Sequence, residues 1–152
     1  MNEWLLSLLA HMRWADGLVA DALSADETPD AEAVRLFAHI ASVEHLWYSR
    51  IQGRAAEVAV WPKLGVSEAH ELATRHADLF DGLVNDADAT ALDRRVTYRN
   101  SKGRTYESSV SNIVTHVCMH GGYHRGQIAR QLRAAGREPP YTDYIEFTRR
   151  DR

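Results

Sequence analysis

Four stretches of this chain repeat their apolar residues with the period of an amphipathic α-helix, which restricts the fold more than any other feature. The first runs from about Asn2 to Leu23, with Leu5, Leu8, Leu9, Met12, Val19 and Leu23 in register. The second is punctuated: Thr28 is the expected N-cap, Pro29 takes the first helical position, and Gly53 lies just past the end. Between them Leu36, Ile40, Val43, Trp47 and Ile51 make one stripe. A third helix is predicted from about Ser67 to Val84, with Leu72, Leu79, Leu83 and Val84 as its apolar members. The fourth begins near Ser108 and stops at Gly136, with Pro139 and Pro140 beyond it. Each stripe must be buried against the others, so the expected architecture is an all-α four-helix bundle spanning residues 1–152 as one domain.

Two connections exceed what a bundle needs. Residues 54–66 hold Trp61-Pro62 and Gly65 and can carry the chain along the bundle. Residues 93–107 alternate around Asn100-Ser101-Lys102-Gly103, which predicts a short β-hairpin between the third and fourth helices. Neither connection fixes the order of the helices in the bundle.

Composition then removes whole classes of function. A net charge of −3 argues against a general nucleic-acid binder, and the single Cys excludes an internal disulfide and a CxxC metal or redox site. No run approaches the roughly 18 apolar residues of a membrane span. The N-terminal stretch is a poor signal peptide because Glu3, His11 and Arg13 interrupt it. The expected setting is therefore the cytoplasm, away from the membrane.

The chemistry lies with the histidines. In the fourth helix His116, His120 and His124 recur every four residues. Adjacent members can share a metal ion, but the outer two are about 12 Å apart along the axis, too far to do so. The stripe of Val110, Val114, Val117, Gly121, Ile128 and Leu132 decides between the pairs. His124 lies about 50° from its centre, His120 about 90° and His116 about 130°, so His116 turns toward solvent. On the second helix His39 lies about 90° from the stripe, whereas His45 falls nearly opposite it. His39, His120 and His124 are thus the trio able to meet between two packed helices. Three imidazoles leave at least one coordination position open, the pattern of a catalytic rather than a structural site.

The segment HGGYHRGQIARQLRAAG resembles the signature of the DinB family of damage-inducible four-helix-bundle proteins. HMRWAD in the first helix, FAHIASVEHLWYSRIQG in the second and PPYTDYIEF after the fourth are similar to further family segments, in the same order. The resemblance implies metal ligands at His39, His120 and His124. It also implies one divalent ion per chain, zinc or nickel first and manganese or iron after them, and a homodimer. Relatives in the wider superfamily transfer low-molecular-weight thiols, which implies such a thiol and a small electrophilic substrate as partners; others have no assigned reaction.

Several neighbours of the signature call for a physical account. Gly121 and Gly122 sit inside a helix, where each costs roughly 1 kcal/mol relative to Ala; either close helix approach or core packing would offset it. Arg125 and Gln127 are candidates to support a ligand from behind. Asp16 falls on the apolar stripe of the first helix, so a buried carboxylate there needs a partner, either a ligand His or backbone. No general base is evident, and no catalytic residue is assigned. His70-Glu71 is not the start of an HExxH motif, since the next histidine is His76, and the Glu-x-x-His spacing of di-iron bundles is absent. Cys118 reads as a buried, inert thiol. Trp4, Trp14, Trp47 and Trp61 read as packing or dimer-contact residues. The basic group Arg94, Arg95, Arg99, Lys102 and Arg104 reads as a solvated hairpin or a guide for an anionic substrate.

Two functions remain in view. One is a metal-dependent enzyme, with thiol transfer ahead of metal-assisted hydrolysis. The other is a non-enzymatic metal-binding bundle acting in stress response or partner binding.

Overall fold

A computed structural model describes residues 2–150. Its elements are α1 (Asn2–Ser24), α2 (Ala31–Ile51), α3 (Val66–Asn85), a short α4 (Ala89–Asp93), the strands β1 (Arg95–Arg99) and β2 (Thr105–Ser109), α5 (Val110–Ala134) and a short α6 (Tyr144–Arg149). The four long helices and the hairpin are those the periodicity predicts. α4 and α6 were not expected, because five or six residues are too few to display a helical period.

The start of α2 differs from expectation. Asp30, not Thr28, is the N-cap, and its carboxylate accepts from the Ala33 amide at 2.9 Å. Asp outranks Thr at this position, and Pro29 is left just outside the helix. α5 starts two residues later than expected, at Val110, with the Ser109 hydroxyl accepting from the Asn112 amide at 3.2 Å. In the hairpin, antiparallel pairs run from Arg95 opposite Ser109 to Arg99 opposite Thr105. The Asn100 side chain accepts from the amides of Lys102 and Arg104, and Gly103 takes the positive φ that the turn requires.

Helix order, open from sequence, follows from the packing. α1 packs on α3 and α5, and α2 packs on the same two, while α1 and α2 barely touch and stand diagonally across the bundle. Two apolar clusters give the directions. One gathers Leu5 and Leu9 with Ile51, Val84 and Val110; the other gathers Leu23 with Ala33, Ala69 and Leu132. Thus α1 and α5 run one way and α2 and α3 the other. Because α2 and α3 are parallel neighbours, residues 52–65 must return the length of the bundle, and that is why this connection is long.

Between the two apolar clusters lies a buried polar layer. Asp16, Glu44 and Arg125 are all at most 3% exposed. At the outer surface His11 donates from Nε2 to the Thr142 carbonyl at 2.8 Å and meets Tyr144 and Phe147 edge-on, seating α6 against α1. No helix among the described residues is long and apolar enough to cross a membrane.

Candidate metal centre

Where α2 and α5 pack side by side, His39 from the first meets His120 and His124 from the second. Ring centroids are 5.1 Å apart for His39 and His120, 4.7 Å for His39 and His124, and 4.4 Å for His120 and His124. One nitrogen from each ring lies within 4.8 Å of the others. His39 and His124 are buried and His120 is half-buried, so this group of donors could hold a metal ion.

The rings are held by their far sides. His39 Nδ1 faces the Val60 carbonyl at 2.8 Å, and a carbonyl can only accept, so the proton sits on Nδ1 and the lone pair on Nε2. His124 Nδ1 likewise donates to the Gln127 side-chain oxygen at 2.7 Å, leaving its Nε2 free. That nitrogen lies 3.1 Å from His120 Nε2. Backbone carbonyls and side-chain amides in this position fix the tautomer and orientation of a ligating imidazole. The donor set therefore fits a divalent ion. Burial, with the neighbouring His124 and Arg35, holds His39 below the ordinary imidazole range. His120 is pushed down to about 3 by burial and by His124, His39 and His116. Neutral imidazole is the form that ligates.

Trp61, which the sequence presents as a packing or dimer-contact residue, completes the arrangement. Its ring lies flat on His39, with centroids 3.6 Å apart and planes 5° from parallel, and Arg35 covers its other side at 4.1 Å. Val60 and Trp61 both come from the long 52–65 connection. The Val60 carbonyl also accepts from the Ser42 hydroxyl at 2.7 Å, pinning the loop to α2. The sequence signal was the surplus length of that loop, with Trp61-Pro62 at its middle. A cavity of about 370 Å³ opens beside the trio, with His124 and Trp61 in its wall.

Of the three residues proposed to support the ligands, Gln127 touches one directly. Asp16 and Arg125 point instead into the core and pair with each other at 2.8 Å. Asp16 thus meets neither a ligand His nor backbone, because a buried guanidinium lies closer and needs the charge more. Gly121 explains how Arg125 gets there. A Cβ at that position would stand 2.7 Å from Arg125 Nη1, so the missing side chain clears a path along α5 for the guanidinium, not for a neighbouring helix. Glu44, unremarked in the sequence, is 1% exposed beside this pair and finds no ordinary donor. Burial and the facing Asp16 raise its pKa well above the carboxylate range. Both influences favour its protonated form.

The other candidates lie elsewhere. His116 is exposed and meets Trp47 edge-on, outside the trio. His45 Nδ1 lies 3.1 Å from His76 Nε2, forming a second pair between α2 and α3. Cys118 is buried and its thiol is pushed up to about 12 by burial, which makes it a poor nucleophile. On the hairpin Arg95 pairs with Glu107 at 2.8 Å, and Arg94 just before it donates to the Ile51 carbonyl at 3.2 Å.

The DinB family model matches residues 1–151. A 53-residue stretch is 38% identical to Protein DinB of Bacillus subtilis (strain 168), covering 35% of this chain and 31% of that protein. The aligned stretch thus spans under a third of that relative's length.

Proposed function

This chain belongs to the DinB family, and on that premise we propose that it is a metal-dependent enzyme with His39, His120 and His124 as ligands of one divalent ion. Zinc or nickel is the ion the family resemblance favours, and a homodimer is the assembly. The observation that carries the reading is the pair of hydrogen bonds that His39 and His124 donate from Nδ1 to the Val60 carbonyl and the Gln127 side-chain oxygen, which turn each Nε2 toward the centre. A divalent ion bound there supplies Lewis acidity, lowering the pKa of a thiol or water.

The protein's own residues do the rest. Three neutral donors leave a coordination position open, whereas a structural zinc site closes with four protein ligands. Trp61 shields one face of His39 from water, and the adjacent cavity gives a substrate access from the His124 side. No residue in the site is placed as a general base, so the reaction must draw on a nucleophile whose pKa the ion lowers. Thiol transfer to a small electrophile meets that requirement best, and hydrolysis comes second.

Metal content tests the reading. Protein purified without chelator and offered zinc or nickel should carry about one ion per chain. His39→Ala and His124→Ala should lose it, while His116→Ala keeps it. Retention in all three variants would sink the assignment. One bound ion without turnover against a panel of thiols and electrophiles would leave a non-enzymatic metal-binding bundle.

A further inference from the structure

The cavity beside the trio has a charge pattern of its own. Two arginines, Arg35 and Arg130, line it against one acidic residue, Glu32. Glu32 is already taken, because Arg35 grips its two oxygens at 2.7 and 2.8 Å. Arg35 is in turn stacked over Trp61. Arg130 enters no ion pair among the described residues. The amides of Gln127 and Gln131 share the same wall. One guanidinium is therefore free, with neutral hydrogen-bonding groups around it and no carboxylate left to answer it.

The position of that guanidinium follows from helix geometry. His124, Gln127 and Gln131 stand at i, i+3 and i+7 on α5, one face of the helix, with Arg130 at its edge. Six residues separate His124 from Arg130, about 9 Å along the axis, and helical side chains lean back toward the N-terminus. Arg130 thus leans toward His124 within the reach of one small molecule. Three neutral imidazoles also bring no negative charge to a cation held among them, so the whole region is complementary to anions.

We infer that Arg130, with the Gln127 and Gln131 amides, forms a carboxylate-binding subsite, and that the substrate is a small molecule bearing a carboxylate at one end and the reacting donor at the other. This rests on the metal-centre reading for the donor end only. The planar guanidinium suits a carboxylate because it can donate two parallel hydrogen bonds to it. Glu32 shapes the subsite indirectly, by keeping Arg35 on Trp61 and out of competition.

Two probes that differ in charge alone test the subsite. Cobalt-loaded protein is titrated with 3-mercaptopropionate and with its neutral amide, following the cobalt absorption bands. The acid should bind about tenfold more tightly than the amide, from a charge-assisted bond. In Arg130→Gln that preference should collapse while the affinity for the amide stays unchanged. Arg130→Lys should restore part of it. An equal preference in wild type and Arg130→Gln, with cobalt bound, overturns the subsite and leaves the metal centre standing. A parallel titration of metal-free protein with propionate follows the Trp61 indole resonance, which both wild type and Arg130→Gln retain. If cobalt does not bind, a shift in this signal that vanishes in Arg130→Gln still upholds the subsite, and its absence from wild type overturns it.

Discussion

Gly121 and Arg125 show how one missing side chain decides what a buried charge can do. Arg125 turns back along its own helix to reach Asp16, and only a glycine at 121 leaves the room. Gly121→Ala should therefore destabilise the fold by about 1–3 kcal/mol through overpacking and a displaced ion pair. Gly126 has nothing within 4 Å of its absent Cβ. Gly126→Ala should instead stabilise by about 1 kcal/mol, the helix-propensity difference. Urea unfolding of the two variants checks the contrast, and equal effects would defeat it. Asp16→Asn leaves Arg125 without its counter-charge, a change that costs about 3–5 kcal/mol for a buried pair. Glu44→Gln should cost far less, since burial and Asp16 already favour the neutral form there. The two should not add, because in Asp16→Asn the Glu44 proton can leave and restore a negative charge. A double-mutant cycle with a coupling near zero would refute this compensation. Asp16 was legible in the sequence as a carboxylate on an apolar stripe. Glu44 carries the same signal, four residues after Ile40 and seven before Ile51, but Val43 beside it already fills the pattern. What no single helix could reveal was the partner, which lies on another element.

The long 52–65 connection is the element on which the site depends most, and here sequence reading reached its limit. Its length was legible and so was its path, but the residues that hold it down were not. His45 was set aside as facing away from the stripe of α2. It faces away from the core, but toward the loop and α3. The Glu57 amide donates to His45 Nε2 at 2.9 Å, so the His45 proton sits on Nδ1, which donates a hydrogen bond to His76 Nε2 at 3.1 Å. His76 Nδ1 in turn donates to the Leu72 carbonyl at 2.9 Å. Two neutral imidazoles thus link the loop to α3 by a chain with one direction. A helical wheel treats each helix alone and cannot see a contact built from a loop and two helices. The chain predicts that the Glu57 amide is protected from hydrogen exchange. In His45→Ala its exchange should become about tenfold faster or more, while amides inside α3 change little. A Glu57 amide that exchanges at the same rate in both proteins would remove the loop anchor. The trio, by contrast, was legible because each of its members borders a stripe that the bundle must bury.

At the scale of the molecule, these histidines set the pH range in which the fold is stable. His11, His45 and His76 lie away from the trio, and burial holds each below the imidazole value of 6.5. The largest opposing influence on His11 is the Thr142 carbonyl, on His45 Glu57, and on His76 the Leu72 carbonyl. A lowered folded pKa means that the unfolded chain binds more protons below 6.5. The stability these groups contribute is therefore complete above about pH 6.5 and is lost as pH falls through their folded values. Glu44 works in the opposite sense, since its folded pKa is raised. Its contribution is complete below the ordinary carboxylate value and is lost as pH rises through the folded one. Between about pH 4.5 and 6.5 the two slopes oppose each other, and the histidines outnumber the single acid. Metal-free protein should therefore lose stability steadily as pH is lowered from about 7 to 5, with the urea midpoint falling throughout. Glu44→Gln should steepen that fall, because it removes the one group among these that gains on acidification. His45→Gln should flatten it. A wild-type midpoint that stays level over this range would mean that the imidazoles are not held neutral by burial. The loop, the His76 contact and the C-terminal segment against α1 would then need another source of cohesion.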